Sequence, residues 1–155
     1  MNIEIWSIGK ESDAFIADGV AHYLKKVRPY VQTSLHILTP PKSLTDPDRI
    51  RAAEEALVLN RLQPAHHLIV LDERGKALTS PGWAQAFQEM MNRSTRTAVL
   101  LIGGAHGVSD AVRGRAQGVW SLSSLVFPHQ LVRLIVAEQV YRAYSILAGS
   151  PYHHP

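Results

Sequence analysis

Several stretches of this 155-residue chain hold residue types that could do chemistry. The run Leu100-Leu101-Ile102-Gly103-Gly104-Ala105-His106-Gly107 takes an apolar segment straight into three glycines. Glycine tolerates positive φ and lets main chain approach a ligand closely. The chemistry would be cofactor recognition by backbone groups; the plainer reading is a tight turn between strand and helix. The spacing matches neither the dinucleotide GxGxxG nor a phosphate-binding Walker loop. A second stretch, Val70-Leu71-Asp72-Glu73-Arg74-Gly75-Lys76, crowds charges after an apolar run, where Asp72 could accept a hydrogen bond from a ligand amine or hydroxyl, or simply sit in a solvated turn. A third, Ser121 to His129, combines leucines, small hydroxyls and Pro128. It could sandwich a flat purine, or pack as a hydrophobic staple that fixes the entry of the next helix.

Two more features lie near the C-terminus. Glu138 and Arg142 sit four apart, on one face of an apolar helical pattern that includes Leu131, Leu134, Ile135, Val140, Tyr141, Tyr144 and Leu147. That pair is either a structural ion pair or part of a site. A helix greasy on several faces points to burial against a second subunit or within its own core. The tail, Ser150-Pro151-Tyr152-His153-His154-Pro155, has no apolar periodicity, yet its Tyr and His types suit stacking on RNA. No acidic or histidine partner stands at a metal-ligand spacing from His153 and His154, so metal is not expected. Ser, His and Asp are present without a nucleophile elbow, which argues against a hydrolytic triad.

The elements that must position these groups alternate. Asn2 to Ile8 reads as a strand, and a helix follows from Ser12 or Asp13 to Pro29, with Phe15, Ile16, Val20, Tyr23, Leu24 and Val27 at helical spacing. Val31 to Leu38 reads as strand two. Asp46-Pro47 caps and opens a helix that runs to about Leu62. Leu68 to Leu71 and Thr97 to Ile102 read as strands buried on both faces. Ser80-Pro81 repeats the cap-plus-proline signal, and Ser109 opens a short helix. Val119 to Leu122 is a small strand, and Pro128 to Leu147 a long final helix closed by Gly149. This order predicts an α/β fold with a mainly parallel sheet. Such sheets bind ligands beyond the carboxyl ends of their strands. The loops after Leu71, Ile102 and Leu122 all fall there.

Composition sets outer bounds. Hydrophobic residues make up 46% and charged residues 19%, as in ordinary globular chains, and the formal net charge is +3. That balance permits a polyanionic partner without demanding one. Cysteine is absent, which excludes disulfides and thiolate zinc sites. No apolar run is long enough to span a membrane. The first residues carry no signal-peptide pattern, so a cytoplasmic location is expected.

Taken together, Leu100 to Gly107, Ser121 to Leu125, Pro128-His129 with Leu131-Val132-Arg133, Ala137-Glu138, Tyr141-Arg142-Ala143, Ser145-Ile146 and Pro151-Tyr152-His153 resemble a known family over essentially the whole chain. That family is the bacterial ribosomal RNA large subunit methyltransferase H group, 23S rRNA pseudouridine-N3 methyltransferases of the SPOUT superfamily. The resemblance implies one SPOUT-type α/β domain over residues 1–155, with a trefoil knot near the C-terminus. It implies S-adenosyl-L-methionine as methyl donor, a homodimer, and 23S rRNA in the assembled ribosome as substrate. Leu71, Gly103, Gly104, Leu122, Ser123, Ser124, Leu125, Val126 and Phe127 would hold the donor. Glu138, Arg142 and His153 would serve catalysis, and Arg142, Tyr152, His153 and His154 would meet RNA. Relatives commonly end with Arg or Lys after the terminal His, where this chain has His154-Pro155. Competing readings are a non-enzymatic ribosome-binding factor, a small-molecule α/β enzyme with a nucleotide cofactor, and a SPOUT methyltransferase acting on another RNA.

Overall fold

The computed structural model describes residues 1–155. In chain order the elements are β1 (Asn2–Ile8), α1 (Ala14–Val27), β2 (Thr33–Leu38), α2 (Pro47–Arg61), β3 (His66–Ala77), α3 (Ser80–Asn92), β4 (Thr97–Ile102), α4 (Asp110–Arg115), β5 (Gly118–Ser121) and α5 (His129–Leu147). The five strands form one sheet in the order β2-β1-β4-β3-β5, and every pairing is parallel. The expected α/β class and parallel sheet are therefore present.

Local chemistry explains most helix starts. Asp46 accepts the Arg49 N–H at 3.1 Å, and Pro47 occupies the first turn of α2 where its missing N–H costs nothing. Ser109 accepts the Val112 N–H at the start of α4. At α3 the cap is Thr79, which accepts the Gly82 N–H at 3.1 Å. Ser80, the expected cap, instead donates its hydroxyl to Gln139 Oε1 at 2.7 Å and ties α3 to α5.

Two strands differ from expectation for visible reasons. β2 begins at Thr33 because the Val31 N–H is spent on Val27 O, closing the end of α1. β3 does not stop at Leu71. The chain bulges out through the charged residues and returns, so that both Leu71 and Lys76 register against Trp120 of β5. Gly75 makes that return possible: a Cβ there would lie 2.7 Å from the Val119 and Trp120 backbone.

Apolar packing fills both faces of the sheet. On one face Ile3, Ile5, Ile69, Ala98, Leu100 and Ile102 meet α1, α3 and α5. On the other, Trp6, Ile8, Leu68, Val70, Val99 and Leu101 meet α2 and α4. Each such side chain contributes roughly 1.5–3 kcal/mol on burial, so the doubly covered central strands are apolar without alternation. Trp83 and Trp120 lie 5.1 Å apart between ring centres, and Phe87 stacks on Tyr144 at 5.7 Å. Burial there pushes the Tyr144 hydroxyl up to about 12. The strand order sets β4, β3 and β5 side by side, so the loops that follow β4 and β5 lie beside the bulge of β3 at one sheet edge.

Candidate active site

Those two loops and the β3 bulge enclose a cavity of about 490 Å³. Leu71, Asp72, Glu73 and Arg74 form one wall, Ile102 to Ala105 with Gly107 and Val108 the floor, and Leu122, Ser123, Leu125, Val126 and Phe127 the third side. His129 and Val132, from the first turn of α5, close it. Eight of the nine donor-site residues expected from the sequence line this cavity; Ser124 does not. Leu125 and Val126 stand at the mouth, 66% and 86% exposed. The loop after β5 is held by its own hydroxyls: Ser121 Oγ donates to Ser123 O at 3.1 Å, and the Leu125 N–H donates to Ser123 Oγ at 3.0 Å.

The floor is bare main chain by steric necessity. A Cβ on Gly103 would lie 2.7 Å from Val108 Cγ2, and one on Gly104 would lie 2.5 Å from Glu54 Oε1. Exposed backbone groups flanked by Ile102, Leu122, Val126 and Phe127 suit a flat, partly polar ligand of nucleoside size. The cavity thus fits an adenosine-bearing molecule.

Asp72 is not a free ligand acceptor. Its Oδ1 takes the Arg74 N–H and Nε at 2.9 and 3.1 Å, and its Oδ2 takes Arg113 Nη2 at 2.6 Å. The Arg74 hydrogen bond, helped by Arg113, holds its carboxyl well below the usual range. The residue clamps the β3 exit to α4.

The second group of expected residues also comes together. Glu138 Oε1 accepts Arg142 Nε at 2.9 Å, Arg142 Nη2, and the Tyr152 hydroxyl at 3.0 Å. Glu138 Oε2 accepts Gln139 Nε2 at 2.7 Å. Arg142 Nη1 lies 3.4 Å from His153 Nδ1, and its guanidinium sits 4.8 Å from the Tyr152 ring centre. The Glu138 hydrogen bond pushes Arg142 up from its ordinary value. Burial, then hydrogen bonding with Tyr23 and Glu138, pushes the Tyr152 hydroxyl up as well. His154 is exposed.

Lys26 belongs to this cluster and was not foreseen. Its ammonium lies 5.5 and 5.7 Å from the ring centres of Tyr141 and Tyr152, which are themselves 4.6 Å apart. The sequence showed it only as one cation near the end of α1. Glu54 was likewise missed, because a carboxylate inside a helix carries no motif. None of Glu138, Arg142, Tyr152 or His153 lines the cavity. From Val132 to Arg142 is ten residues of α5, or about 15 Å at 1.5 Å per residue. Within one chain, therefore, cavity and cluster lie at different heights along the same helix.

Comparison with known proteins settles the family. A family model described as "Predicted SPOUT methyltransferase" matches residues 1–153. The chain belongs to the SPOUT methyltransferase family. Among its relatives, a protein of Cytophaga hutchinsonii named "Ribosomal RNA large subunit methyltransferase H" is 41% identical over 155 residues, covering 99% of this chain and 100% of the relative. Proteins of the same name from Gloeobacter violaceus and Flavobacterium johnsoniae are 37% and 36% identical, each alignment covering 99% of both chains. No helix is long and apolar enough to cross a membrane.

Proposed function

We propose that this SPOUT methyltransferase carries a methyl group from S-adenosyl-L-methionine to N3 of a pseudouridine in 23S rRNA, acting in the cytoplasm on the assembled ribosome. The observation that carries the reading is the glycine-floored cavity at the ends of β3, β4 and β5, in a chain whose full-length relatives bear the rRNA methyltransferase name. Leu71, Gly103, Gly104, Leu122, Ser123, Leu125, Val126 and Phe127 would hold the donor, and Ser124, outside the cavity lining, would not touch it. The bound donor would supply an electrophilic methyl on a sulfonium, whose departure as a neutral thioether asks nothing of a metal.

The protein's own groups then face a weakly acidic imide. N3–H must give up its proton to solvent water, and negative charge develops on the flanking carbonyl oxygens. Arg142 is suited to stabilise that charge with preorganised N–H donors. Both oxygens of Glu138 are already engaged, which favours an orienting role for it over proton acceptance. His153, 3.4 Å from Arg142 Nη1, would meet the base beside it, and Tyr152 and the exposed His154 would meet RNA.

The roughly 15 Å between cavity and cluster supports a homodimer. Phe15 on α1 and Leu131 on α5 are apolar side chains left 71% and 37% exposed in a single chain, surface that a second copy would cover. A second copy packed there with its α5 running the opposite way would carry its Arg142 group toward the first copy's cavity. The reading also includes one domain over residues 1–155 and a trefoil knot near the C-terminus. The tight passage of Gly75 against the Val119 and Trp120 backbone is compatible with such threading.

Calorimetry separates this reading from a small-molecule enzyme with a nucleotide cofactor and from a non-enzymatic ribosome-binding factor. S-adenosyl-L-methionine should bind, while NAD and ATP should not. A ribosome-binding factor without methyltransferase activity would associate with ribosomes and give no heat with the donor.

A further inference from the structure

Behind the cavity floor lies a carboxylate that the reaction does not use. Glu54, on α2, is 6% exposed, and its Oε2 has no hydrogen-bond partner. Its crevice is walled by Ile8, Val58, Val108 and Val112. Burial, the largest influence, leaves its carboxyl above the usual value, and His106 from the glycine loop and Arg51 from its own helix offset that only in part. Glu55 is the other charged group at that crevice. A buried carboxylate with an unpaired oxygen is expensive, so its retention asks for a reason.

Its position supplies one. Gly104 lines the donor cavity on one side, and on the other its Cβ position lies 2.5 Å from Glu54 Oε1. One thickness of glycine backbone is all that separates the carboxylate from the ligand space. Apolar walls screen its field weakly, whereas water would screen it strongly.

We propose that Glu54 is a positioning residue whose carboxylate, ionised at the pH of the reaction, acts through the glycine floor to favour the sulfonium form of the donor over its neutral thioether product. This rests on the cavity being the S-adenosyl-L-methionine site. S-adenosylhomocysteine shares the adenosine, the ammonium and the carboxylate of the donor, so comparing the two isolates the sulfonium charge. The carboxylate would thereby aid product release, because the ligand loses that charge when the methyl leaves.

The test is calorimetric binding of S-adenosyl-L-methionine and S-adenosylhomocysteine to full-length wild type, Glu54→Gln, Glu54→Met and Glu54→Asp, each checked for folding by thermal melting. The neutral substitutions should weaken the donor by about 3- to 10-fold, as expected for loss of a unit charge acting across a partly screened interior. The product should change by less than about 2-fold. Glu54→Asp should keep most of the discrimination. Glu54→Met is included because an apolar side chain of similar length is often tolerated where a buried charge stood. Equal weakening of both ligands would mean that Glu54 only shapes the loop, and would overturn the proposal; so would no change in either. If wild type binds neither ligand, the assignment of the cavity itself fails, a result distinct from an unchanged ratio.

Discussion

The Tyr152 hydroxyl donates to Glu138 Oε1 at 3.0 Å, so the C-terminal tail is fastened to the middle of α5 by the same oxygen that receives Arg142. A segment that could have been loose is thereby made part of a defined cluster. Arg142 is held from two sides, by the Glu138 carboxylate and by the Tyr152 ring.

Arg142→Ala should cut methyl transfer by ~10²–10³-fold while leaving donor affinity unchanged, the usual cost of losing a donor aimed at developing negative charge. Arg142→Lys should recover little, since an ammonium cannot reproduce the paired N–H geometry. Single-turnover rates on ribosomes, beside calorimetry with the donor, check this. Removing Arg142 also leaves Glu138 short of its main partner, so each variant needs a melting curve.

Tyr152→Phe keeps the ring and removes the hydroxyl. Stability should fall by about 1 kcal/mol, and the KM for ribosomes should rise several-fold with kcat affected less. Because burial and its neighbours raise the Tyr152 hydroxyl, it stays protonated and donating through neutral and mildly alkaline pH. The wild type should therefore show no loss of activity from Tyr152 ionisation over that range, as a pH–rate profile would report.

Asp72→Asn tests the clamp between β3 and α4. The folded carboxyl is depressed below its unfolded value, so its stabilisation is fully present above the unfolded pKa. It is lost as pH falls below that value toward the folded one. The variant should melt lower at pH 7, by about 1–3 kcal/mol. The gap to wild type should narrow below about pH 4, where the unfolded carboxyl takes its proton. Paired thermal melts at pH 7 and pH 3 measure it.

Gly104→Ala places a methyl where Glu54 Oε1 already stands, 2.5 Å away. The floor must shift, and donor affinity should drop by about tenfold or more, in line with the cost of overpacking a filled site. Global stability should change far less, since Gly104 itself belongs to neither apolar cluster. Calorimetry and melting together distinguish the two effects.

Much of this architecture was legible because the chain announces its element boundaries. Asp46-Pro47, Ser109 and the apolar blocks of β1 and β4 give boundaries that the structure keeps. The cavity was legible through three loops at one sheet edge, because parallel strands place their carboxyl ends together. What was not legible depends on contacts between distant positions. Ser124 shares the composition of its neighbours, yet the Ser121–Ser123 hydrogen bond turns the loop so that it does not line the cavity. Lys26 and Glu54 reach their places only through helix packing. The return of β3 at Lys76 requires knowing that β5 waits beside it. The height difference between Val132 and Arg142 is plain from helix rise, but its consequence appears only once the cavity is located.

The central claim is methylation of a particular atom in ribosomal RNA. Ribosomes from a strain lacking the protein should be incubated with the purified enzyme and isotopically labelled S-adenosyl-L-methionine, and the RNA fragments sequenced by mass spectrometry. One labelled methyl per ribosome on N3 of a 23S rRNA pseudouridine, with far less on naked rRNA, is the predicted result. Label on transfer RNA, on another atom, or nowhere despite donor binding would contradict it.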